Sequence, residues 1–394
     1  MTALTRPGRD SASREAYVAV VSLVRKLMML EAAMYSIVTP MLPYFARTIP
    51  ASKPQLGVLA GAYAAGLIPG SLLGGALAVT VGVRRTTLVG VFVFALSTPA
   101  FGFATGIIAL DALRTIQGVG SGLVWGGGLT WVVAIAPEGR RGEMIGTTIS
   151  AAIIGLLIGP ALGVAAVATS PGLLFSLVGA VSLVAAVLVA RSEEPNLHRE
   201  TAATPARVLL RSPGAMIGTW LTVLEAMAFG ALYVLLPLRL AALGASNAAI
   251  GATFLLSSAA AMFVAPRMGL ICDRRGAFLP VLLGVAASAL LLVSLSVPDS
   301  ALVLAALSLA LMGGPLAAFI VPSVAMISDS AERAGVALAV STMIFNLAYA
   351  LGEVIGAPLS AYVSHASSDA VPLLALAVLM LLTLVPVLRW RREI

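Results

Sequence analysis

Twelve apolar runs, each about as long as a bilayer is thick, divide the chain, and no soluble fold can bury so many. A helix that crosses the hydrocarbon core needs ~20 apolar residues. The runs lie near 20–45, 55–79, 86–107, 110–134, 143–168, 172–190, 215–242, 248–271, 277–297, 300–322, 335–363 and 370–388. Of 394 residues, 60% are hydrophobic and only 10% charged, which excludes a soluble enzyme, a disordered chain and a nucleic-acid-binding module. The runs are continuous rather than alternating, so a transmembrane β-barrel is excluded as well. The expected fold is therefore an all-α integral membrane protein with twelve transmembrane helices. The first run lacks a small-residue cleavage site and reads as a retained span.

Basic residues set the expected orientation. With the N-terminus in the cytoplasm, 20 of the 24 Lys and Arg fall on that side, Arg84, Arg85, Arg140, Arg141, Arg274 and Arg275 among them. Arg47, Lys53 and Arg239 fall outside, and Arg114 lies within a span. Such a bias follows the positive-inside rule and puts both termini in the cytoplasm, as expected for a multi-pass protein of the cell (inner) membrane. The +7 net charge is thus spread over short loops and is no footprint for nucleic acid. Single Cys272 and isolated His198 and His365 offer no metal or disulfide framework, so no cofactor is expected.

The two halves repeat. A shift of 194 residues lays Leu30-Glu31-Ala32 on Leu224-Glu225-Ala226, and Leu42-Pro43 on Leu236-Pro237. The same shift lays Gly57, Gly75, Gly82 and Gly90 on Gly251, Gly269, Gly276 and Gly284. This register predicts two parallel six-helix repeats. Residues 1–190 form the first, 191–211 a polar cytoplasmic linker, and 212–394 the second.

Three stretches carry unusual residues. In the fifth span, Gly146, Gly155, Gly159, Pro160 and Gly163 place glycines at i, i+4 and i+8, a flat stripe for close helix approach. Pro160 removes one backbone bond from that helix. The fourth span reads Leu110-Asp111-Ala112-Leu113-Arg114-Thr115-Ile116-Gln117-Gly118-Val119-Gly120. An arginine at such depth costs ~2.5 kcal/mol or more and must face protein or water. Its bland explanation is a local pair with Asp111, one turn away. After the second span stand Gly75, Leu77, Ala78, Gly82 and Arg84, with Val79 and Thr80 between them; the second half has Gly269, Asp273, Arg274, Arg275 and Gly276.

On these residues the sequence resembles the major facilitator superfamily, and in particular its twelve-span drug/proton antiporters. The fifth-span stripe matches the antiporter pattern G-x8-G-x3-G-P-x2-G-G, except that Val164 stands at the final glycine. The fourth span matches L-x3-R-x2-Q-G-x-G, which implies a link between Arg114 and proton transfer. The loop residues match a conformational latch, G-x-L-a-D-r-x-G-r-k, in which Val79 replaces the acid of the first half. The resemblance therefore leaves the first-half latch weakened.

Glu31, Glu225 and Glu353 lie inside spans 1, 7 and 11. Embedded carboxylates are functional candidates by default. The residues around Glu31 resemble the first span of vesicular amine transporters and bacterial multidrug exporters, which implies recognition of a cation there. Tyr35 and Phe229 stand at i+4 from Glu31 and Glu225 and share their faces. With Trp125, Tyr233, Phe319, Tyr349 and Asn346 they could line a cavity suited to organic cations. The competing explanation for Glu31 is a local pair with Arg25 or Lys26.

The resulting expectation is a secondary transporter and not an enzyme: no nucleophile–base pair is present. It exchanges protons for amphipathic, often cationic, small molecules, with the bilayer and protons as its other partners. No P-loop is present, so ATP does not drive it. A monomer is expected. The alternatives are transport of another solute (sugar, amino acid or siderophore export, or proton-coupled uptake) and a membrane receptor or scaffold without transport.

Overall fold

A computed structural model describes residues 7–136, 141–193, 209, 211–336 and 338–389. Most of the expected linker, 194–208 and 210, lies outside the described residues. The architecture is all-helical, with no strand among the described residues, and has the two parallel six-helix repeats expected from the sequence. Helix α1 spans Pro7–Ser36, followed by a single 3-10 turn, Thr39–Met41, and short α2, Leu42–Thr48. Pro40 and Pro43 lack the N–H groups that would continue α1, so the helix stops at Ser36 and restarts. Then come α3 Lys53–Thr80, α4 Val83–Phe103, α5 Ile107–Ile135, α6 Arg141–Ala168 and α7 Pro171–Arg191. The second repeat comprises α8 Pro213–Ala242, α9 Asn247–Arg275, α10 Phe278–Leu295, α11 Ala301–Leu311, α12 Ala317–Arg333, α13 Leu338–Ala366 and α14 Ala370–Arg389.

Eleven of these stretches are long and apolar enough to cross a membrane, counting α11 and α12 as one, Ala301–Arg333. The twelfth is α1, whose apolar stretch carries Arg25, Lys26 and Glu31. A π-helical turn, Met312–Leu316, joins α11 to α12. It absorbs the hydrogen bond that Pro315 cannot make. The tenth span therefore runs on to Arg333, beyond its expected end at 322, because Pro322 is carried inside the helix.

The repeat shows in the caps. Ser52 and Ser246, 194 residues apart, both cap their helices; Ser52 shares a capping box with Gln55, and Ser246 accepts from the Ala249 amide. Gly82 and Gly276, in the same register, have φ of +102° and +79°, a left-handed backbone that glycine tolerates.

In the first repeat α3 and α4 pack on α5, α4 also on α7, and α1 on α6; in the second α8 packs on α12 and α13, and α10 on α14. Glycines bring α3 and α5 together: a Cβ on Gly66 or Gly118 would fall on the backbone of Thr115 or Tyr63. The halves meet through α3 against α13 and α6 against α9. These contacts gather at the end that carries α2. There Gly57 lies against Ala361, Gly61 against Pro358 and Gly251 against Val164. Lys53 Nζ reaches Asp369 Oδ1 at 2.5 Å and Ser364 Oγ at 2.8 Å, while Arg47 donates to Asn247 at 3.5 Å. At the opposite, basic end, no neighbour stands within 4 Å of a Cβ placed on Gly75 or Gly146. The molecule is thus closed at the α2 end.

Candidate functional site

The break in α1 builds the centre of the molecule. A helix end leaves its last carbonyls without partners. Arg114 of α5 fills that gap: Nη1 donates to Met34 O at 2.7 Å and Nη2 to Tyr35 O at 2.5 Å. A cation at a helix C-terminus also meets the negative end of the helix dipole. Nη1 is shared with Gln117 Oε1 at 3.1 Å, and Gln117 in turn donates to Thr98 at 3.3 Å. The guanidinium lies 4.5 Å from the Tyr63 ring centroid and 5.9 Å from that of Phe101. Arg114 forms no pair with Asp111, so the local ion pair offered by the sequence does not form.

Glu31, Glu225 and Glu353 are 2%, 3% and 3% exposed, three carboxylates removed from the surface. Glu31 Oε2 accepts from Ser121 Oγ at 3.0 Å, and its Oε1 is buried without a hydrogen-bond partner. Arg25, one of the cations expected as its local partner, instead donates to Thr147. Glu225 Oε2 is likewise buried and unpartnered. Glu353 Oε2 accepts from the Tyr35 hydroxyl, a bond that crosses from α13 to α1 and so joins the two halves. Glu353 also lies within electrostatic reach of Glu225 and Arg114.

Aromatic rings bridge the same gap. Tyr35 meets Tyr63 edge-on at 5.5 Å and Tyr233 of the other half at 6.4 Å. Tyr233 continues to Phe229 at 5.5 Å and Phe254 at 5.9 Å. Tyr349 is half-buried and pairs with Phe345 at 6.1 Å. Asn346 is half-buried on the same helix, and Trp125 packs on the core at the basic end of the first repeat. Phe319 is fully buried in the core of the second repeat, against Gly284. The sequence reading missed Ser121 and Tyr63. Their signal was a polar group in the apolar stretch of a neighbouring helix, but nothing local says which helix they face.

The glycine stripe of α6 packs on α1. A Cβ on Gly155, Gly159 or Gly163 would fall on the carbonyls of Met29, Ala33 or Ile37 respectively. Gly146, which opens the pattern, stands clear of that contact, and Pro160 lies within the helix. The second half has its own version: a Cβ on Gly352 or Gly356 of α13 would fall on Val223 O or Met227 O of α8. In the last turn of α3 Val79 is exposed, and in the first turn of α4 Arg84 donates to Ala190 O at 3.0 Å and Ser192 O at 3.1 Å, capping α7. Gly269 stands near Val321, and Arg274 is exposed. The side chain of Asp273 lies outside the described residues.

Two parallel six-helix repeats that meet around embedded ionisable groups have the architecture of a membrane transporter. The family model of the Major Facilitator Superfamily matches residues 27–353, and the chain belongs to that superfamily of transporters. Similar proteins include the uncharacterized MFS-type transporter YcaD of Escherichia coli, 25% identical over 264 residues, which cover 66% of this chain and 68% of YcaD. An uncharacterized MFS-type transporter of Methanocaldococcus jannaschii is 27% identical over 126 residues, 32% of this chain and 33% of that protein. The MFS-type transporter ppzB of Metarhizium rileyi is 30% identical over 135 residues, 33% of this chain and 28% of ppzB. These last two matches span about a third of the relatives' length.

Proposed function

We propose that the protein is a proton-coupled exporter of amphipathic or cationic small molecules, acting as a monomer in the cell (inner) membrane. In this reading the basic end and both termini are cytoplasmic, residues 1–190 and 212–394 are the two moving halves, and 191–211 links them. The state described is then inward-open. The observation that carries the reading is the set of three buried acids, two of them with an unpartnered carboxylate oxygen and the third, Glu353, bonded across the halves to Tyr35. Such groups are expensive to hold in a membrane unless they bind something. A cation that settles between Glu31, Glu225 and the rings of Tyr35, Tyr233 and Phe229 gains both charge and cation–π partners. A proton arriving from outside competes for the same carboxylates and displaces the cation.

Arg114 is the fixed element of the site. It ties α5 to the broken end of α1, so that a change at Glu31 or Tyr35 moves both helices together. Glu353 reads the state of the other half through Tyr35. The test is purified protein in liposomes under an imposed pH gradient, challenged with cationic, neutral and anionic compounds. Uphill cation movement that collapses with the gradient supports the reading. Movement indifferent to the gradient, or confined to neutral solutes, overturns it.

A further inference from the structure

Between α1 and α6, at the basic end, lies a cavity of about 580 Å3. Val18 and Met29 give it an apolar wall; Ser22, Arg25 and Lys26 line its polar part, with Glu143 at the rim. Among the described residues neither Arg25 nor Lys26 forms an ion pair, and Glu143 has contacts of its own. Arg25 is not simply reaching for water. One of its terminal nitrogens donates to Thr147 of α6, and its Nε is buried without a hydrogen-bond partner. Two cations held in an apolar-walled groove, one with a buried unsatisfied donor, call for an anion.

We propose that this groove seats an anionic amphiphile, its acidic head group on Arg25 and Lys26 and its chain along Met29. An acidic phospholipid of the surrounding bilayer and a soluble amphiphile with a phosphate or carboxylate head share this chemistry. Basic pockets between membrane helices on the cytoplasmic side bind such head groups. The site is separate from Glu31, whose carboxylate turns to Ser121 of α5, and it stands whether or not the transport reading does.

The test measures binding to the purified full chain, by thermal shift and native mass spectrometry. The probes are dioctanoyl phosphatidylglycerol, dioctanoyl phosphatidylcholine, octyl phosphate and inorganic phosphate. The expected result is saturable binding of the phosphatidylglycerol at least about tenfold tighter than the phosphatidylcholine. Arg25→Gln with Lys26→Gln abolishes that preference, while the charge-retaining swap Arg25→Lys with Lys26→Arg keeps it. Ser22→Glu, which sets a carboxylate among the cations, is a second variant with the same expected loss. Charge-dependent binding of octyl phosphate without the lipid also supports the site and assigns it to a soluble ligand. Equal affinity for the two lipids, inorganic phosphate binding as tightly as either amphiphile, or a preference that survives the double Gln substitution overturns the proposal.

Discussion

Glu31 and Glu225 occupy the same place in the two repeats, yet their partners differ. Glu31 shares one oxygen with Ser121, whereas Glu225 has no such hydroxyl on its free oxygen and lies near a second acid, Glu353. Under the proposed mechanism the two acids are not interchangeable. Glu31→Gln is expected to abolish uphill export of cations with the protein still folded, and Glu31→Asp to keep part of it; Glu225→Gln should weaken export in the same direction. Proteoliposome flux read beside a thermal unfolding curve separates lost coupling from lost structure, and uphill export at the normal rate by Glu31→Gln removes that acid from the mechanism. Arg114 has a heavier structural duty. Arg114→Ala strips two helix-end carbonyls of their donors, and leaving buried polar groups unmet costs about 1–3 kcal/mol each. A clear drop in melting temperature is expected. Arg114→Lys should recover only part of it, because an ammonium cannot present the same planar fork. An unchanged melting curve for Arg114→Ala would show that water replaces those bonds.

Among the elements, the α1–α6 and α8–α13 pairs are the ones whose geometry depends on single hydrogens in place of side chains. Gly155→Leu or Gly159→Leu should separate α6 from α1 and either block transport or leave a leak; overpacking of this kind costs ~1–3 kcal/mol. Gly356→Leu should do the same to α13 and α8. A leak assay on substrate-free liposomes distinguishes block from leak, and normal coupled flux in all three variants would show that these helices need no close approach. The span count, the repeat and the α6 stripe were legible because apolar runs, caps and glycine spacing are local features of the chain. The matching stripe on α13 was not, since the ungapped shift of 194 slips to 197 there, laying Gly155 and Gly159 on Gly352 and Gly356. The tail of the tenth span was hidden by Pro322 and the polar residues Ser328, Asp329 and Glu332, which read as a loop and fold as helix. The anchors of Arg114 were beyond sequence reasoning altogether, because backbone carbonyls at a helix break carry no residue code. So was the Tyr35–Glu353 bond, which joins positions in different halves.

At the scale of the whole molecule, closure at the α2 end rests on few polar contacts. Lys53 and Asp369 are 26% and 24% exposed in their side chains, so the pair is worth at most about 1 kcal/mol. That suffices to shift a population several-fold. Under the proposed orientation Lys53→Ala should raise the outward-open fraction, and added salt should act in the same direction on the native chain. At the other end Val79 stands exposed where the related latch has an acid, and Val79→Asp should favour closure there. Spin labels on the basic ends of the two halves read both changes as a shorter distance; an unchanged distribution in both variants would mean that neither contact sets the resting state. The apposition of Gly57 and Ala361 has a mechanical corollary. A Cβ on Gly57 would sit 2.5 Å from that of Ala361 and 2.9 Å from Ala357 O, so Gly57→Ala is a shim driven into the seam between α3 and α13 at the closed end. Helix α3 has 28 residues and is thus about 42 Å long. With α3 in contact near one tip, each degree by which it tilts moves the far tip by about 0.7 Å over that length. While the α2 end stays closed, one methyl group in its seam therefore shifts the basic end by more than its own displacement.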